Sequence, residues 1–156
     1  MEKIEECNDC QVLTEIQHKS FITVAEEFGY TIENAPYHSA FIKKEKIEKQ
    51  MMDGGKFFVF KIGDEFIGSV GYILENGNYV IERLAVIPEY RHKGIGKELM
   101  DFIENKVKSK NAKSIRLAMI DNNLVLKEWY YKLGYNVIET KDKGLIFKIS
   151  IMQKEL

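Results

Sequence analysis

The apolar run VIERLAVIP (residues 80–88) is followed at once by Arg91-His92-Lys93-Gly94-Ile95-Gly96 and then by Leu99, Phe102, Ile103 and Val107 at helical spacing. A strand therefore enters a glycine hinge and leaves it as a helix. Glu98, Asp101 and Glu104 precede Lys106, Lys108 and Lys110, the order of charge that a helix macrodipole favours. The next apolar segment, SIRLAMI (114–120), reads as a second strand. Strand, helix and strand in this order form a β-α-β crossover, which joins parallel strands and is right-handed. No other part of the chain constrains the fold as tightly.

The remaining elements are arranged around this unit. A short strand near Lys3–Glu6 precedes a helix over 11–28, where Val12, Ile16, Phe21, Val24, Ala25 and Phe28 recur near a helical period and Gly29 is the stop. The segment 37–52, YHSAFIKKEKIEKQMM, predicts a second helix ending at Asp53-Gly54-Gly55. Gly63-Asp64 and Asn76-Gly77-Asn78 are hairpin signals, so KFFVFKIG, EFIGSVGYIL and NYVIERLAVI become three antiparallel strands. LVLKEWYYKLG (124–134) is a helix closed by Gly134, and a terminal hairpin turns at Lys141–Gly144. The order β-α-α-β-β-β-α-β-α-β-β predicts an α+β fold: a central mixed sheet of about seven strands with about four helices, in three layers.

Length and composition bound the function. At 156 residues the chain predicts a single domain over 1–156, and a net charge of −1 gives no general attraction to nucleic acid. No apolar stretch approaches the roughly 20 residues needed to span a bilayer, and the acidic start MEKIEECNDC lacks the pattern of a secretory signal, so the sequence predicts a cytoplasmic protein without membrane association. Cys7 and Cys10 form a lone C-x-x-C with no second pair or histidine cluster, which reads as two reduced thiols and no metal. His18, His38 and His92 read as surface or internally satisfied side chains.

The hinge itself has the chemistry of an anion cradle, because backbone N–H groups at a helix start point outward and the dipole favours negative charge there. Two nucleotide motifs fail on spacing. A P-loop needs glycine at the position of Arg91 and Ser or Thr at that of Glu98, and a dinucleotide fingerprint needs glycine where Leu99 stands. Arg91-His92-Lys93-Gly94-Ile95-Gly96 after a strand instead resembles the R/Q-x-x-G-x-G/A acyl-CoA signature of the GNAT superfamily of N-acyltransferases. NNLVLKEWYYKLGY resembles that family's downstream segment, with Asn123, Tyr130, Lys132, Gly134 and Tyr135 on matching positions and Leu126 departing from the alanine often found there. The resemblance covers about residues 57–150.

That resemblance implies acetyl-CoA as cosubstrate. It implies that Leu84, Ala85 and Val86 run along the pantetheine arm where the two parallel strands splay apart beyond Val86. Arg91, His92, Lys93, Gly94, Ile95, Gly96 and Lys97 would surround the diphosphate, and Asn123, Tyr130 and Lys132 would complete the cofactor site. Glycine in the hinge would let the backbone approach an oxygen-rich group, and Arg91 and Lys97 would add charge.

Acyl transfer to an amine needs a base, because an alkylamine with a pKa of about 10 is protonated at neutral pH. Glu82 is the candidate; period two places it on the same face as Leu84 and Val86, its alternative being a solvated glutamate paired with a lysine. Tyr130 is the candidate acid for the leaving sulfur, its alternative being a core or surface tyrosine. Asn123 equally suits a helix N-cap. For the acceptor, Glu26, Glu27 and Glu33 would attract a cationic amine, and Tyr30, Tyr37 and Phe41 would form an apolar wall, unless the glutamates are a solvated rim. The acceptor stays open between a small molecule and a peptide amine. A non-catalytic acyl-CoA-binding module is the alternative function, and the edge of the terminal hairpin leaves a homodimer open.

Overall fold

The computed structural model describes residues 2–156. Its strands are β1 (Glu2–Glu6), β2 (Lys56–Ile62), β3 (Glu65–Glu75), β4 (Asn78–Val86), β5 (Ser114–Ile120), β6 (Asn136–Lys141) and β7 (Ile149–Glu155). Its helices are α1 (Cys10–Phe28), α2 (Lys44–Met52), α3 (Ile95–Lys108) and α4 (Leu124–Lys132). One seven-stranded sheet runs in the order β1-β2-β3-β4-β5-β7-β6, antiparallel except for the β4–β5 pair. The mixed sheet and the single parallel crossover through α3 are as the sequence predicts. β7 lies between β5 and β6, so the last strand of the chain is interior to the sheet.

Local chemistry explains most boundaries. The Asp9 carboxylate accepts from the Gln11 and Val12 amides at 3.0 and 3.3 Å, starting α1, and Gly29 at φ 72° ends it. The expected single helix over 37–52 is divided. Ser39–Phe41 form one 3-10 turn, Ile42 and Lys43 are extended, and only then does α2 begin. Tertiary contacts override helix propensity here: Ile42 is buried in the cluster of Leu13, Ile16 and Ile47, and its carbonyl lies 2.6 Å from His18 Nε2. The terminal hairpin also differs from the expected tight turn, because its connection spans 142–148 and sends Phe147 into contact with Tyr30, ring centroids 5.1 Å apart.

The sheet separates two cores. On one face Phe58, Phe60, Ile67, Val70 and Ile81 meet Leu99, Met100 and Ile103 of α3 and Tyr130 of α4. On the other, Phe57, Val59 and Ala85 meet Leu13 and Ile16 of α1 and Ile47 of α2. Among the described residues no helix is long and apolar enough to cross a membrane.

β3 and β4 fall out of step where the functional segment begins. Gly71 is opposite Glu82, yet Ser69 is opposite Ala85, so β4 carries one extra residue. Gly71 is also where the strands crowd, since a Cβ there would lie 2.3 Å from Phe57 Cδ1 and 2.7 Å from the Lys56 carbonyl oxygen. Gly71→Ala is expected to lower stability by about 1–3 kcal/mol through overpacking. Urea denaturation should show a lower midpoint at an unchanged slope; an unmoved midpoint would show that the sheet yields at this position.

Candidate active site

A 3-10 turn at Pro88–Tyr90 leads from β4 into the hinge, where His92 (φ 63°) and Gly94 (φ 82°) are both left-handed. Gly94 caps α3 without a side chain, and the first helical bond runs from the Glu98 amide to the Gly94 carbonyl at 3.1 Å. The amides of Ile95, Gly96 and Lys97 precede that bond, so helical geometry gives them no intrahelical acceptor. Uncapped amides at a helix start suit a diphosphate. The two glycines serve different ends. Gly94 is required by its backbone angle, whereas a Cβ on Gly96 would lie 3.3–3.4 Å from the Trp129 ring, so the bare position lets α4 seat on α3 rather than making room for a ligand.

The hinge cations are not arranged as the sequence suggested. Arg91 Nε donates to the Val86 carbonyl at 3.2 Å, one terminal nitrogen to Thr23 Oγ1 at 3.0 Å, and the other to the Ser20 carbonyl. It is a brace between hinge and α1, with all three nitrogens engaged. Lys97 is paired with Asp101 at 2.9 Å on the exposed side of α3. His92 and Lys93 are exposed, and Lys93 Nζ is 5.6 Å from the Tyr90 ring centroid.

β4 and β5 part earlier than expected. Among the described residues their register holds only Val80 with Arg116, so the gap opens before Glu82 and not beyond Val86. The Ile87 amide bonds the Ile67 carbonyl at 2.9 Å, so by antiparallel alternation the N–H and C=O of Val86 face away from β3 and toward the gap. Arg91 takes the carbonyl; the N–H remains for a group entering between the strands.

The extra residue in β4 overturns the period-two placement of Glu82. Arg83 is left-handed at φ 56°, and alternation is broken there. Leu84 and Val86 pack on the α3 side, while Glu82 lies beside Gln50 and Lys46 of α2, on the side of Ala85. Burial holds the Glu82 carboxyl above the ordinary carboxylate range, and Arg83 with Gln50 opposes this only in part. The bulge is clamped from α1: Gln17 Nε2 donates to Ser69 Oγ at 2.8 Å, and Ser69 Oγ donates to the Arg83 carbonyl at 2.6 Å.

Tyr130 is on the opposite face, buried against Trp129 and Tyr135, and burial pushes its phenol far above the usual value. Its hydroxyl has no hydrogen-bond partner among the described residues. Among the described residues the fully enclosed side-chain polar atoms without partners are Gln17 Oε1 and Ser20 Oγ, so the Tyr130 hydroxyl, though buried, is not fully enclosed. Asn123 is the N-cap of α4, its Oδ1 accepting from the Leu126 amide at 3.2 Å, and Lys132 is exposed in the last turn.

The predicted acceptor residues are not gathered. Glu26 and Glu27 are exposed. Tyr30 is a core residue stacked on Phe28 and met edge-on by Phe147, Tyr37 is 87% exposed, and among the described residues no aromatic pair or hydrogen bond joins either to Glu82 or Tyr130. Sequence reading missed Gln17, Gln50, Ser69 and Arg83. A signal for Gln17 and Ser20 existed: they continue the helical stripe of Leu13 and Ile16 with polar groups.

The Acetyltransferase (GNAT) family model matches residues 25–135. This chain belongs to the GNAT acetyltransferase family. Its fold is similar to that of the PaiA N-acetyltransferase of Thermoplasma acidophilum in complex with coenzyme A, at 25% identity and TM-score 0.80, covering 100% of this chain and 99% of that one. A GNAT family acetyltransferase from Staphylococcus aureus aligns at 23% identity and TM-score 0.73, covering 100% and 99%. One from Elizabethkingia anophelis with acetyl-CoA bound aligns at 16% identity and TM-score 0.69, covering 99% and 98%.

In this GNAT chain the Arg91 brace has a measurable consequence. Hydrogen bonds to a charged group contribute about 1.5–3 kcal/mol each, so Arg91→Ala is expected to lower stability by about 2–3 kcal/mol. Wild-type stability of that variant in urea would show the brace to be idle.

Proposed function

We propose that the chain transfers an acetyl group from acetyl-CoA to a primary amine by direct attack in a ternary complex. One observation carries the reading: Glu82 lies on the α1/α2 face of the sheet and Tyr130 on the α3/α4 face, and between those faces β4 and β5 part beside the inward-turned N–H of Val86. The gap is the passage through which groups bound on the two faces meet.

Acetyl-CoA supplies the acyl group as a thioester. The residues present fit such a cosubstrate: the uncapped amides of Ile95, Gly96 and Lys97 suit its diphosphate, and Val86 N–H suits a carbonyl of an extended, amide-bearing arm laid along β4. Glu82 takes the proton from the acceptor ammonium, and its raised pKa strengthens it as a base. The amine nitrogen then bonds the acyl carbon, the carbon–sulfur bond breaks, and Tyr130 gives its hydroxyl proton to the leaving sulfur. Burial holds that proton on the phenol beforehand. A thiolate formed in the same desolvated place is raised in basicity as well, so donor and acceptor stay matched. Water carries the remaining proton of the acylated nitrogen to the Tyr130 phenolate, and Glu82 releases its proton to solvent, so both side chains return to their starting states. Leu84, Ala85, His92, Lys93, Gly94, Asn123 and Lys132 serve by shaping the cofactor site, and the two free thiols Cys7 and Cys10 suit a reducing cytoplasmic setting. The outer strand β6 is the edge along which two copies would pair.

Calorimetric titration with coenzyme A and release of its free thiol against a panel of amines test the reading together. Binding without thiol release for any amine would leave a non-catalytic module. Glu82→Gln is expected to lower kcat about 10²–10⁴-fold. In the wild type, kcat/KM should rise with pH through a limb above the ordinary carboxylate value of about 4.3, and the substitution should remove that limb. Persistence of the limb in the variant would take the base role from Glu82. Tyr130→Phe should lower kcat while the Kd for coenzyme A holds; unaltered turnover would end the acid assignment.

A further inference from the structure

The acceptor's chemical class follows from Arg83, which the resemblance to known acyltransferases leaves without a role. Its side chain is only 10% exposed, and its guanidinium is poorly satisfied for so buried a charge. Nε donates to Gln50 Oε1 at 3.3 Å. The nearest carboxylate oxygen, Glu82 Oε2, is 3.7 Å from one terminal nitrogen, beyond hydrogen-bond range. Neither terminal nitrogen has another partner among the described residues, and neither is fully enclosed, so both keep unpaired donors, one of them facing Glu82.

Charge balance points the same way. Lys46 lies one helical turn before Gln50 on α2 and adds a second positive charge to the surroundings of Glu82. Arg83 and Lys46 thus offset Glu82 and the weaker influence of Glu75 at the place assigned to the acceptor. A polyamine would find no excess of negative charge there. An amine that carries a carboxylate would bring its ammonium to Glu82 and its carboxylate to the planar fork of Arg83, replacing one long ion pair with two short ones. The 3.7 Å between the two side chains matches a carboxylate within one or two carbons of the nitrogen.

We infer that Arg83 binds the carboxylate of the acceptor, and that the acceptor is a small amino acid-type zwitterion. The inference rests on the acetyl-transfer reading. It differs from the expectation that Glu26 and Glu27 draw in a cationic amine.

The test compares alanine, alaninamide, ethylamine and spermidine as acceptors by release of free coenzyme A thiol. The wild type should favour alanine over alaninamide by about a hundredfold in kcat/KM, as expected for an unpaired buried charge, and Arg83→Gln should bring that ratio close to one. Equal rates for alanine and alaninamide, or a preference for spermidine, overturn the inference and leave acetyl transfer standing. If Arg83→Gln does not fold, the wild-type ratio alone decides. If no amine releases thiol, calorimetry of alanine and alaninamide against the protein loaded with coenzyme A decides. Selective binding of alanine would uphold the carboxylate site while acetyl transfer falls, and no binding of either would overturn both.

Discussion

A hydroxyl and a carboxamide hold one peptide of β4 out of register, and the site depends on that. Arg83 is a non-glycine residue in a left-handed conformation, which costs about 1–2 kcal/mol relative to ordinary strand backbone. It persists because its carbonyl accepts from Ser69 and, at 3.4 Å, from Gln17, both buried, while its side chain is held by Gln50. Without the extra residue, Glu82 would share a face with Leu84 and Val86. With it, the carboxylate is on the α1/α2 side and the amide of Val86 still opens to the gap. One irregularity therefore sets Glu82, the Val86 amide and the Arg83 guanidinium relative to each other.

α1 acts on this irregularity along its length. Its apolar stripe docks on the sheet through Leu13 and Ile16, and where the stripe continues it becomes polar: Gln17 reaches the bulge and the Ser20 carbonyl receives Arg91. The helix thus fixes both ends of the segment from Arg83 to Arg91. Placing Glu82 and Tyr130 on different faces of the sheet lets each be desolvated by its own packing, which is why burial raises both without the two groups competing for the same space.

What could be read from the sequence was what depends on local pattern. The crossover through α3, the glycine hinge, the two hairpins of β2–β4 and the terminal pair all follow from periodicity and turn chemistry, and the family motif sits where strand and helix were expected. What could not be read depends on contacts between distant segments. The break at Ile42 arises from a histidine on α1. The reversal of Glu82 arises from one left-handed residue that no propensity marks, since arginine rarely adopts that conformation. Arg91 matched a motif, but its partners Thr23 and Ser20 are on α1 and invisible to spacing. Tyr30 looked like a cleft aromatic and became core because Phe147 and Phe28 close over it.

The placement of β7 between β5 and β6 bears on how the molecule matures during synthesis. A nascent chain folds roughly from its N-terminus as it emerges. β6 leaves the ribosome before β7, yet it has no neighbour in the sheet until β7 has paired with β5. The exposed flank of β5 must therefore stay unzipped while residues 121–148 are translated, and the loop carrying Phe147 cannot cover Tyr30 before then. A chain stalled before β7 would carry the hinge, the bulge and β5 but lack the strand that braces β5 on the side away from the gap.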